Sequence, residues 1–122
     1  MDKKKIAMDF GFLKKKVLGI AIYGSQASKK ATPRSDIDIC IIIGKESGIG
    51  DMKNVLKAVW RKIDTATKKY DVRLFEELPL DIKADVMKNG IVLIGDKVKI
   101  SGYFYKFRKM WEDQKCRRRL SK

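Results

Sequence analysis

Gly24 and Ser25 are followed, after ten residues, by Asp36-Ile37-Asp38 in the stretch GSQASKKATPRSDID. Two carboxylates at i and i+2 on an extended chain project from one face, close enough to hold one divalent cation or to share two. Glycine lets backbone approach a phosphate closely. A serine at a helix start adds a hydroxyl and free backbone N–H groups. Together these suit phosphoryl or nucleotidyl transfer, in which paired metals neutralise a triphosphate, activate the attacking oxygen and stabilise the leaving pyrophosphate. Alone, Gly-Ser is an ordinary turn with a helix cap, and Asp-x-Asp an ordinary solvated strand end. Their specificity comes from occurring together between two apolar runs, VLGIAIY before and DICIII after.

Those runs are the elements that must position the chemistry. Residues 17–23 read as a first strand, with Ser25 capping a short helix to about Ala31 and Pro33 stopping it. Residues 36–43 read as a second strand, with Ile37, Ile39, Ile41 and Ile43 on a core face and Asp36, Asp38, Cys40 and Ile42 on the face carrying the carboxylates. Residues 70–75 read as a third strand. Asp71 opens it with the parity to face Asp36 and Asp38 if the two strands are neighbours, which makes it the candidate third carboxylate. Glu77 shares that parity but lies beyond the strand's far end. Lys29, Lys30 and Arg34 are candidates for a phosphate-facing rim or for solvent.

Helices are expected around this sheet. Residues 3–16 space Ile6, Phe10 and Leu13 near the helical period. After a loop over residues 44–50, Met52, Val55, Leu56, Val59, Trp60 and Ile63 form an apolar stripe that should cover the isoleucine face. Pro79 begins another helix with Ile82, Val86 and Met87 inward, and Asn89-Gly90 ends it before a short strand at residues 91–94. Residues 100–120 read as a final helix. Its Phe104, Phe107, Met110 or Trp111, and Gln114 fit either a partner-docking face or packing on the domain itself.

Composition narrows the classes. A chain of 122 residues with 44% hydrophobic residues is expected to form one globular domain, 1–122, with 100–122 as a C-terminal helix and basic tail. With no histidine and with Cys40 and Cys116 far apart, zinc coordination of the usual ligand type is nearly excluded. A bound metal should then be hard and oxygen-coordinated, with magnesium the best fit. Apolar runs are of strand length and too short for a membrane span, so a cytoplasmic protein without a membrane partner is expected. The net charge of +14 fits either attraction to polyanions, including nucleotide triphosphates and nucleic acid, or a solvated lysine-rich surface.

GSQASKKATPRSDID resembles the signature of the polymerase-beta-like nucleotidyltransferase superfamily, a Gly-Ser, ten residues and Asp-x-Asp. The likeness to its minimal, MNT-type members extends through Asp71 to Gly95 and covers roughly residues 15–96. Gln26 and Ser28 stand where many relatives have Arg and Gly. The resemblance implies an α+β fold, a mixed sheet with helices mainly on one face. It also implies transfer of a nucleoside monophosphate from a triphosphate to a hydroxyl. By position, Asp36 and Asp38 would bind two Mg2+ ions, and Asp71 the catalytic one while helping to deprotonate the acceptor. Gly24 and Ser25 would hold the triphosphate of ATP.

MNT proteins of this size resemble antitoxins that add AMP to a tyrosine of a helical HEPN-type ribonuclease toxin. That reading is expected here because so short a chain leaves little room for a small-molecule acceptor domain. A non-catalytic antitoxin, a small-molecule nucleotidyltransferase with a partner subunit and a basic nucleic-acid-binding protein are the alternatives. Oligomeric state is left open.

Overall fold

The computed structural model describes residues 3–24, 37–44, 49–64 and 69–120. Helix α1 (Lys3–Asp9) and a 3-10 turn at Gly11–Leu13 lead into β1 (Gly19–Tyr23). Strand β2 (Ile37–Ile42) and helix α2 (Ile49–Lys62) precede β3 (Tyr70–Leu74). A second 3-10 turn at Phe75–Glu77 passes to α3 (Leu80–Asn89), β4 (Ile91–Gly95) and α4 (Lys97–Leu120). The expected first helix is thus broken after Asp9, where the chain tightens toward Gly11. The final helix starts three residues earlier than expected, with the Asp96 side chain accepting the Val98 N–H at 2.8 Å.

The four strands run in the order β3-β2-β1-β4. β1 pairs antiparallel with both β2 and β4, and β2 pairs parallel with β3 across α2. One face of the sheet carries Ile20, Ile22, Ile39, Ile41 and Leu74. Val55, Val59 and Ile63 of α2, and Ile6 and Phe10 from the N-terminal segment, close over them. The expected α2 stripe therefore does cover the isoleucine face, except that Trp60 remains 64% exposed.

The α+β class and the mixed sheet stand as expected, but the helices divide between both faces of the sheet. The reason is local: β1 is buried along its whole length, and Cys40 and Ile42 are as fully buried as Ile39 and Ile41. A central strand apolar on both sides needs two covers. Val86 of α3 and Ile100, Phe104 and Phe107 of α4 supply the second one, over Ala21, Cys40 and Ile42. On α3, Val86 is buried and Met87 packs against this cluster, while Ile82 is exposed.

The first part of α4 thus packs on its own domain, its rings gathered around Phe75 at centroid distances of 4.8 Å to Phe104 and 5.2 Å to Phe107. Met110, Trp111 and Gln114 have side chains outside the described residues, as does Met52 on α2. Among the described residues no helix is long and apolar enough to cross a membrane.

Candidate active site

The parallel pairing of β2 and β3 sets Asp38 directly opposite Asp71, one step after Ile37 opposite Tyr70. In-register residues on neighbouring strands point to the same face, with backbones about 4.8 Å apart. The two carboxylates therefore converge, as the parity of the sequence requires. Both are half-buried, because the α3–α4 layer covers Cys40 and Ile42 farther along β2 and leaves this corner of the sheet open.

Gly24 follows β1 with φ +70, a backbone conformation side chains disfavour. A methyl group there would overlap Oδ2 of Asp38. The close approach that Gly24 permits is thus between the turn and the carboxylate itself. Ser25 and Asp36 lie outside the described residues, together with Lys29, Lys30, Arg34 and the short helix expected to about Ala31.

Two further groups share the face. Tyr23 lies across from Asp38 on β1 and is almost fully buried. Burial, and then the negative charge of Asp38, push its hydroxyl up to about 12, so it stays protonated around neutral pH and cannot serve there as a base. Arg73, two residues after Asp71, brings Nε to 3.4 Å from Asp71 Oδ1; the side chains are 60% and 41% exposed. An ion pair that open contributes little stability, but it places a cation beside the second carboxylate.

A hard divalent cation fits this donor set: two carboxylates on one face, no imidazole or thiolate, and backbone brought close by a glycine turn. Among the described residues no cluster of three metal-ligating side chains forms, and Asp36 is not one of those residues. Cys40 is buried on the same face farther along β2, its thiol pushed up by burial, which makes it inert as a ligand at neutral pH.

The acidic residue that sequence parity missed is Glu76. Its carboxylate accepts the N–H groups of Ile43 at 3.2 Å and Gly44 at 3.1 Å, and the Tyr103 hydroxyl at 2.7 Å. It therefore ties the end of β2 to the turn after β3 and to α4. Strand parity ends where the chain enters the 3-10 turn at Phe75, so no strand-based spacing rule reaches Glu76. Glu77, the acid that parity did mark, is exposed. Glu76→Gln keeps the shape but replaces a charged acceptor with a neutral one. It is expected to lower unfolding free energy by about 1–3 kcal/mol in urea denaturation; an unchanged midpoint would show that the clamp contributes nothing.

The family pattern described as "Polymerase beta, Nucleotidyltransferase" matches residues 9–99. This chain belongs to that family. A Methanocaldococcus jannaschii protein named "Putative protein adenylyltransferase MJ1547" is 44% identical over 102 residues, which is 84% of this chain and 75% of that protein. Solved structures share the fold at lower identity. A toxin-antitoxin with AMP-PNP superposes with a TM-score of 0.73 at 16% identity, covering 98% of this chain and 94% of that one. An MNT antitoxin in complex with tri-AMPylated Shewanella oneidensis HEPN toxin gives a TM-score of 0.65 at 15% identity, over 97% and 90% of the two chains. The chain is therefore a nucleotidyltransferase domain, with Asp38 and Asp71 in register beside the turn at Gly24.

Proposed function

We propose that this chain is a cytoplasmic, magnesium-dependent protein adenylyltransferase that moves AMP from ATP to a tyrosine hydroxyl of a HEPN-type toxin, acting as its antitoxin. The observation that carries this reading is the Asp38–Asp71 register on one open face, reached by the turn at Gly24. The naming of the Methanocaldococcus relative and the HEPN toxin seen with one structural neighbour support the choice of acceptor.

In this reading Asp36 and Asp38 would hold two Mg2+ ions, Asp71 would hold the catalytic one, and Gly24 and Ser25 would hold the triphosphate. Bound magnesium would neutralise the triphosphate and favour the phenolate form of the acceptor. The tyrosine oxygen attacks the α-phosphorus, its proton passes to Asp71, and the bond to pyrophosphate breaks as pyrophosphate departs. Tyr23, held protonated, does not compete for that proton.

The test is incubation of the purified chain with labelled ATP, Mg2+ and a candidate HEPN-type partner protein, followed by peptide mapping. Label on a tyrosine of that protein is the expected result. Label confined to a small molecule, or no label on any protein, would overturn the reading. A non-catalytic antitoxin is the second reading, favoured by the contact of Arg73 with Asp71, which engages the acid expected to take the proton.

A further inference from the structure

A cavity of about 350 Å³ crosses the edge of β3 beside the acid pair. Leu56 and Trp60 of α2 line it from one face of the strand, Asp71 and Arg73 from the other, and Leu78 and Pro79 from beyond its end. β3 is one of the sheet's two outer strands, and an outer strand is a template for an extended chain.

Trp60 stands one helical turn after Leu56, on a row beside the buried stripe of Val55, Val59 and Ile63. The domain's own packing uses that stripe and leaves most of the Trp60 indole in water. On the adjoining row Lys53, Lys57 and Arg61 are all exposed, four residues apart. An aromatic wall flanked by cations, in one cavity with a carboxylate of the active site, is suited to a polypeptide with acidic side chains. A second copy of this chain would bring its own +14 charge against those cations. A nucleic acid carries a charge at every phosphate and would set one against Asp71 and Glu77, which line the same cavity, whereas a polypeptide can keep its acidic side chains on the Lys57 and Arg61 side.

We propose that this cavity is the acceptor-docking groove: an extended, acidic segment of the protein acceptor packs an apolar side chain on Trp60 and delivers its hydroxyl to Asp71. The proposal rests on the proposed function, in which the acceptor hydroxyl lies beside Asp71. Trp60 is then a specificity-determining residue that touches the acceptor but neither the nucleotide nor the reacting atoms. Lys57 and Arg61 steer the acidic segment onto the groove from the α2 side.

Trp60→Ala, Trp60→Phe and the double variant Lys57→Glu/Arg61→Glu would be compared with wild type in AMP transfer to the HEPN-type partner protein that the wild-type chain labels. Thermal unfolding would confirm that each folds, which the exposure of all three residues favours. Trp60→Ala is expected to raise the KM for the protein acceptor about ten-fold or more, with kcat and the KM for ATP held within about two-fold. Trp60→Phe should restore most of the difference. The double variant should raise the acceptor KM and flatten its dependence on salt.

In a Trp111→Phe background, addition of the acceptor should shift the emission of Trp60. Wild-type acceptor KM in both Trp60→Ala and the charge-reversed variant would overturn the groove while leaving AMP transfer standing. Failure of the wild-type chain to label any protein would overturn the groove together with the reading beneath it. A Trp60 emission change produced by RNA and not by the acceptor would reassign the surface to nucleic acid and overturn the proposal.

Discussion

Asp71→Asn is expected to lower kcat for AMP transfer by about 10²–10⁴-fold, the usual contribution of a positioned general base and the role proposed for it, and Asp38→Asn should be at least as damaging if, as proposed, it removes a metal ligand. Neither change should unfold the protein. The two carboxylates lie directly opposite on parallel neighbours, and like charges directly opposite one another destabilise a sheet. Neutralising Asp71, whose contact with Arg73 is open to solvent, should leave the melting temperature unchanged or slightly raised. Loss of transfer with retained stability is thus the signature of a site held together against its own repulsion.

Nucleotide binding by isothermal titration separates the two roles. Asp38→Asn should weaken Mg-ATP binding, whereas Asp71→Asn should bind ATP and fail in turnover. Transfer at the wild-type rate in Asp71→Asn would show that the acceptor's proton goes elsewhere. If Asp38→Asn still suppressed the toxin in cells at wild-type level, inhibition would be by occupancy, and the Arg73–Asp71 contact would be read as part of a resting scaffold.

Much of this arrangement was legible in the chain because alternation along a strand is a strict rule. Once β2 and β3 were assigned, the parity of Asp38 and Asp71 followed from their positions, and the register bears it out. The α2 stripe at Val55, Val59 and Ile63 was equally legible from its helical period. Other features depend on tertiary choices that no local period encodes.

Trp60 lies at the border of that stripe, and its exposure is decided by where β3 ends the sheet. Glu76 acts from a 3-10 turn, where strand parity no longer applies. The division of helices between two faces depended on Cys40 and Ile42, read as the polar-side positions of β2 because Asp38 shares their parity. They are in fact buried, and only the first part of the strand opens to solvent. An alternating pattern thus gave the direction of each side chain correctly and the extent of the open surface incorrectly. For the motif itself, Ser25 and Asp36 lie outside the described residues, and the roles proposed for them rest on the resemblance of the motif and on the position of Asp38.

Phe75→Ala is expected to cost about 3–5 kcal/mol of unfolding free energy, the usual range for emptying a buried phenylalanine site. The ring is fully buried and meets Tyr103, Phe104 and Phe107 at centroid distances of 6.1, 4.8 and 5.2 Å. It also follows β3 directly, four residues after Asp71, so it fixes the strand bearing one carboxylate to the first half of α4. Two consequences should separate in measurement. Urea denaturation should show the full loss of stability, while Phe75→Leu, which keeps most of the volume, should recover a large part of it. Hydrogen exchange should then show faster opening of α4 and of the β3 amides than of β1, whose strand is paired on both sides. Equal acceleration everywhere would mean that the aromatic cluster stabilises the domain only globally. Selective opening at β3 would make α4 the brace of the catalytic corner, placing that support far from the Gly-Ser and Asp-x-Asp motif in the chain and beside it in the fold.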